Sequence, residues 1–212
     1  MAIIPLRQYN REIEGLIETG QLDEAVAHCR HILETFPKYM ATYRLLGKAH
    51  LEQQRFGDAA DIFQRVLSSV PDDFMAHVGM SIIREDEGNL DAAIWYMERA
   101  SEAQPANAAI RDELRRLHGR RDGIEPPKVR LTRGALARMY AKGGLFEQAI
   151  GELRGALAED PQRPDLQVML AQMYFQLGQQ VEAIGTGEAL VKRLPYCLVA
   201  NRILAVILSH KA

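Results

Sequence analysis

Apolar positions recur along this chain with the spacing of one helix face, and then recur again one longer step away. Tyr43, Leu46, Gly47 and His50 fall at i, i+3, i+4 and i+7, the stripe that an amphipathic helix buries. A second stripe follows in Ala59, Ile62, Phe63, Val66 and Leu67. Pro71 closes the unit, because proline cannot continue a helix and holds the residue before it extended. The same pattern returns every 34 residues: Pro37, Pro71 and Pro105; Ala25, Ala59 and Ala93; Cys29, Phe63 and Met97. Pro161 and Pro195 carry a second set with that step, joined by Ala149 and Ala183, Tyr140 and Tyr174, and Gly144 and Gly178. Each unit therefore predicts two helices and a turn. The small Gly47 and Ala59 let the paired backbones approach. The whole chain predicts about twelve helices in antiparallel pairs, with no sheet.

The step from Pro105 to Pro161 is 56, longer than one repeat by 22 residues. Ala109, Ile110, Leu114 and Leu117 keep a helical spacing there, and Gly119, Gly123 and Pro126-Pro127 end it. The expected organisation is three repeats over 1–105, an extra helix and linker over 106–128, two repeats over 129–195, and a terminal helix over 196–212 that is a half repeat or cap. The insert should break the regular stacking and set the two blocks at a new angle.

These residues resemble the tetratricopeptide repeat family, whose signature is Trp-x2-Leu-Gly-x2-Tyr, then Ala-x3-Phe, then Pro, at 34 residues per repeat. The second repeat matches best, with Tyr43 in the Trp place and His50 in the Tyr place. The first departs most, with Glu12 and Ile13 where Leu-Gly is expected. The resemblance implies an all-α superhelix, an alpha-alpha solenoid of antiparallel helix pairs, interrupted here by the extra helix and linker. It also implies a non-catalytic scaffold that binds a segment of a partner protein or peptide on the concave face lined by first helices. The repeat register places Arg44 and Lys48 on that face, then Met75, Val78 and Ile82. It continues with Arg138 and Lys142, and ends with Val168, Met169, Gln172 and Phe175. The family's carboxylate-clamping set of Lys, Asn, Asn, Lys and Arg would fall on Asn10, Glu14, Leu45, Met75 and Gly79, so that clamp is absent.

Composition adds little to the picture. Net charge is −2 with 47% hydrophobic residues, an ordinary soluble balance that gives no global pull toward nucleic acid. The segment Arg111 to Arg133 holds eight Lys or Arg against four Asp or Glu. It lacks interleaved aromatics, so nucleic acid is disfavoured as a partner. Cys29 and Cys197 follow no metal or disulfide spacing, which fits a reduced, cytoplasmic setting. No apolar run is long enough to span a membrane. His28 and His31 share a face but lack further ligands, and no nucleophile–base pair or phosphate loop is present. No enzyme, cofactor or metal is expected.

The last helical run suggests a second function class, self-assembly. Leu204, Ala205 and Leu208 are expected to pack back on the fifth repeat. Val199, Ile203, Val206 and Ile207 then point outward and should associate with a second copy or another surface.

Overall fold

The computed structural model describes residues 5–209; the ends of the expected first repeat and terminal helix, 1–4 and 210–212, lie outside them. The described residues form twelve helices and no strand. The first block runs α1 (Leu6–Glu18), α2 (Leu22–Thr35), α3 (Met40–Glu52), α4 (Phe56–Ser69), α5 (Phe74–Asp86) and α6 (Leu90–Ala103), with α7 (Ala108–Asp122) beside it. After a non-helical strap come α8 (Arg133–Lys142), α9 (Phe146–Glu159), α10 (Pro164–Gln176), α11 (Gln180–Arg193) and α12 (Leu198–Ser209). Successive helices pair as α3 with α4, α5 with α6, α8 with α9 and α10 with α11. The all-α solenoid expected from the spacing is what the chain forms.

The turn inside each pair needs one residue in the left-handed region. Gly20, Gly88, Gly144 and Gly178 supply it at φ between 70° and 79°. Gln54 fills the equivalent place in the second repeat at φ 58°, a conformation that costs a side-chain-bearing residue about 1–2 kcal/mol. Between repeats, a recurring bond ties the first helices α3, α5, α7, α10 and α12 to the proline before each. The residue six places after the proline hydrogen-bonds its carbonyl: Tyr43 to Pro37 (3.2 Å), His77 to Pro71 (2.9 Å), Arg111 to Pro105 (3.2 Å), Gln167 to Pro161 (2.8 Å) and Asn201 to Pro195 (2.9 Å). Five residue types perform one task, which is to satisfy a carbonyl that the broken helix leaves free. The bond also marks α7 and α12 as first helices in register.

Buried side chains form four clusters. Three lie in the first block and α7, around Cys29, Phe63 and Met97. The fourth lies wholly in the second block, around Leu153, Leu170 and Ile203. Phe63 shows how tight the first block is. Its ring passes between Gly47 of α3 and Gly79 of α5, and a Cβ at Gly47 would stand 2.6 Å from it.

The terminal helix is turned differently from the expected register. Ala200, Ile203, Leu204 and Ile207 share the face that packs on α11 and α10. Ile203 and Ile207 are 2% and 3% exposed, and Leu204 seats against Gly187. Ala205 and Leu208 are exposed, as is Val206, while Val199 is half-buried. The expected face belongs against a following second helix; against the preceding repeat a first helix uses its other face. The outward set Val199, Ile203, Val206 and Ile207 is therefore corrected to Leu198, Ala205, Val206 and Leu208.

Candidate partner-binding groove

The inner faces of α1, α3 and α5 form one open concave surface. Asn10, Arg11 and Glu14 from α1 meet Arg44, Leu45 and Lys48 from α3 and Met75 from α5 around a depression of about 250 Å³. Met75, Val78 and Ile82 follow at i, i+3 and i+7 along α5. Met75 and Ile82 are each 39% exposed, and Val78 is half-buried against the core below. An apolar stripe on an inner face is therefore bordered by two cations.

The start of α5 fixes one of those cations. Asp73 caps the helix by accepting from the Ala76 amide at 2.9 Å, and the same carboxylate accepts from Arg44 Nε. Arg44 is thereby held on the groove wall, with part of its charge used. Lys48 has no ion-pair partner among the described residues and keeps its full charge toward the groove. Thr42, one turn before Leu46, donates to Asn10 Oδ1 at 3.0 Å and joins α3 to α1. At the far end of α5, Glu85 accepts from Arg116 and Arg120 of α7. Those arginine hydrogen bonds, Arg116 first, hold the Glu85 carboxyl below the usual carboxylate range.

The basic segment around α7 is largely neutralised within the fold. Arg115 faces Asp112 and Glu125, Arg116 also faces Glu113, Arg121 faces Asp91 and Asp122, and Arg133 faces Glu152 and Glu159. A surface whose arginines are already paired has little left for a phosphate backbone.

The second block does not extend the groove as the register suggests. Val168 and Met169 are 0% and 3% exposed, within the second block's own core. The reason is enclosure: α10 is packed by α9, α11 and α12, so its inner positions have no free side. Both residues are corrected from groove to core. Arg138 points at Asp72 of the first block, 3.2 Å away, and Lys142 lies at the end of α8. Gln172 and Phe175 line a separate depression of about 500 Å³ with Phe146, Arg202 and Val206. The expected single groove is thus two surfaces, the first with the α5 stripe beside Arg44 and Lys48, the second with Phe146, Phe175 and Val206 beside Arg202.

Among the described residues no group of three His, Cys, Asp or Glu side chains is placed to hold a metal ion, and no helix is long and apolar enough to cross a membrane. Cys29 lies in the first-block core, where burial pushes its thiol up to about 12. His50 and His77 are buried at the position between paired helices or next to it, and burial lowers both.

The sequence model of the tetratricopeptide repeat matches residues 16–78 and 133–195, together more than half of the chain. The chain belongs to the tetratricopeptide repeat family. No curated protein matches the sequence significantly. Among solved structures it is similar to a thermophilic tetratricopeptide repeat protein of Thermus thermophilus, at 19% identity over 95% of this chain and 98% of that one, with a TM-score of 0.44. YrrB, described as a tetratricopeptide repeat protein with an unusual peptide-binding site, is 15% identical over 92% of this chain and 89% of its own, at 0.44. The MamA protein is 16% identical over 87% and 88%, at 0.45. Family membership places the chain among helical-repeat scaffolds of protein–protein interaction, a class that is generally non-catalytic.

Proposed function

We propose that this chain is a non-catalytic adaptor that holds a segment of another protein in the groove of α1, α3 and α5. The observation that carries the reading is the stripe of exposed Met75 and Ile82 with half-buried Val78 between them, beside Lys48, which has no ion-pair partner among the described residues. Apolar side chains collected on a concave inner face mark a contact surface rather than a solvated one. The partner segment then carries apolar side chains for the α5 stripe and a carboxylate for Lys48 and Arg44. Gln172 and Phe175 offer a second contact in a separate depression. A cytoplasmic setting with no cofactor fits two reduced, buried cysteines. The test is capture from a native extract by the full chain and by Met75→Glu with Ile82→Glu. Partners held by the parent and lost by the variant, at unchanged helical circular dichroism, support the groove. An identical captured set from both proteins sinks it.

A second reading rests on α12, whose outer face leaves Leu198, Val206 and Leu208 uncovered, Leu208 by 51%. Self-association through that face predicts a dimer in light scattering that Leu208→Glu with Val206→Glu returns to monomer. A parent that is monomeric at micromolar concentration removes this reading.

A further inference from the structure

The closest contacts between the two blocks are charged, and apolar side chains of both also face each other across open depressions, Leu67 and Trp95 with Pro164 and Leu194, and Pro37 and Met40 with Tyr196 and Leu198. Among the described residues no buried apolar cluster contains residues of both blocks: one cluster is confined to residues 137–207, and the buried members of the other three to residues 13–117. At the seam, Glu102 near the end of α6 accepts from Arg163 at the start of α10 and from Thr132 Oγ1 at 2.6 Å. Its carboxylate lies against Gly134 of α8, where an added Cβ would stand 2.6 Å from Oε2. Arg163 also holds Asp165 at 2.6 Å, and Arg138 reaches Asp72 at 3.2 Å. The first block thus supplies the carboxylates Asp72 and Glu102, and the second supplies the guanidinium groups that meet them.

Glu102, Arg163 and Asp165 are all buried in this arrangement. Pairs of this kind return in attraction about what desolvation costs, so a docked and an undocked seam lie close in free energy. An interface of ion pairs and open depressions, spanned by no buried apolar cluster among the described residues, leaves relative motion as the default. The covalent joint allows it. The strap is pinned at its start, where Arg115 donates to the Pro126 carbonyl at 2.9 Å, and at its end, where Thr132 caps α8 and holds Glu102. Between these pins Val129 packs on the core around Met97 and Leu114, and the residues left exposed and outside any helix after it are Arg130 and Leu131.

We propose that the chain is a two-position hinge: the second block swings on residues 130–131, just beyond the Val129 anchor, and the ion pairs from Arg138 and Arg163 to Asp72 and Glu102 latch it closed. The latch also adjoins the groove. Asp72, held by Arg138, is the neighbour of Asp73, held by Arg44 on the groove wall. Opening frees the start of α5 on one side and leaves the groove contact on the other.

The experiment is small-angle scattering of the full chain with site-resolved amide exchange. Arg138→Glu places two carboxylates face to face and should raise the radius of gyration. It should also quicken exchange severalfold over residues 128–135, while the interiors of α5 and α10 stay protected. Adding Asp72→Arg restores the pair with its charges reversed and should bring back the closed scattering, a rescue that a folding defect would not show. Glu102→Gln, which keeps the packing and removes one buried charge, should open the chain in the same direction. Unchanged scattering and exchange in both single variants overturns the proposal. So does a loss of protection in α5 and α10 together, which would make the two blocks one body.

Discussion

Gln54 is the residue where local geometry and residue type disagree. Four glycines take the left-handed turn position and one glutamine does. The sequence shows those glycines near the turns, but only the backbone shows that Gln54 shares their conformation. Gln54→Gly should stabilise the fold by about 0.5–1 kcal/mol, the relief of the strained φ less the added freedom of the unfolded chain. A thermal midpoint that falls would mean that the Gln54 side chain contributes more than its backbone costs. His77 sets a second residue-scale expectation. Burial favours the neutral ring and lowers its pKa, with Arg99 and against the Nε2 bond to the Pro71 carbonyl, Asp165 and Asp73, while Nδ1 has no partner among the described residues. The unfolded chain takes up that proton near pH 6.5, the folded chain only lower. Stability from this group is therefore complete above about pH 6.5 and is lost as pH falls below it. His50 shifts in the same direction. Urea denaturation at pH 7.5 and 5.5 should show the loss, and His77→Tyr should lessen it. Tyr43 makes the same proline bond through its hydroxyl. An unaltered slope in His77→Tyr would move the effect to other groups.

At the scale of elements, much was legible because each helix repeats the same burial problem. The 34-residue step located the pairs, and the small residues located the closest crossings. Gly47 is one such crossing, since Phe63 fills the space where its side chain would be. Gly47→Leu should destabilise by roughly 1–3 kcal/mol through overpacking, read as a shift in the urea midpoint at constant slope. A midpoint within error of the parent would show that Phe63 can move aside. What repeat register could not reveal is what stands next to a helix. Val168 and Met169 occupy the same kind of position as Val78, yet α12 and its neighbours close over them. Ile203 and Ile207 were assigned to the wrong side because a first helix has two apolar faces, one for its own partner and one for the preceding repeat. The proline-carbonyl bonds were hidden for another reason. Tyr, His, Arg, Gln and Asn look unrelated until their common offset of six residues from a proline is noticed.

For the whole molecule, the decisive feature is that no buried apolar cluster among the described residues spans the strap. A repeat array is stabilised by terms between neighbours, and a junction with weak neighbour terms is where its cooperativity divides. The junction here is α6 to α8, held by Glu102 and its partners rather than by a shared core. Trp95, the only tryptophan, lies in the first block under the Arg99 guanidinium, 4.5 Å from ring centre to cation. It also lines a depression with Pro164 and Leu194 of the second block, so its fluorescence reports the first block and the seam, whereas helical circular dichroism reports both blocks throughout. In urea the two signals should give different midpoints, because each block can lose its own core without exposing the other's. Arg138→Glu should widen the gap by removing one of the few couplings left, and added salt should act in the same direction, weakly for the buried pairs. Superimposable transitions in the parent and the variant would mean that the seam transmits unfolding as completely as a hydrophobic interface. The ionic cluster would then be a strong joint, and the separation of the cores would have no thermodynamic consequence.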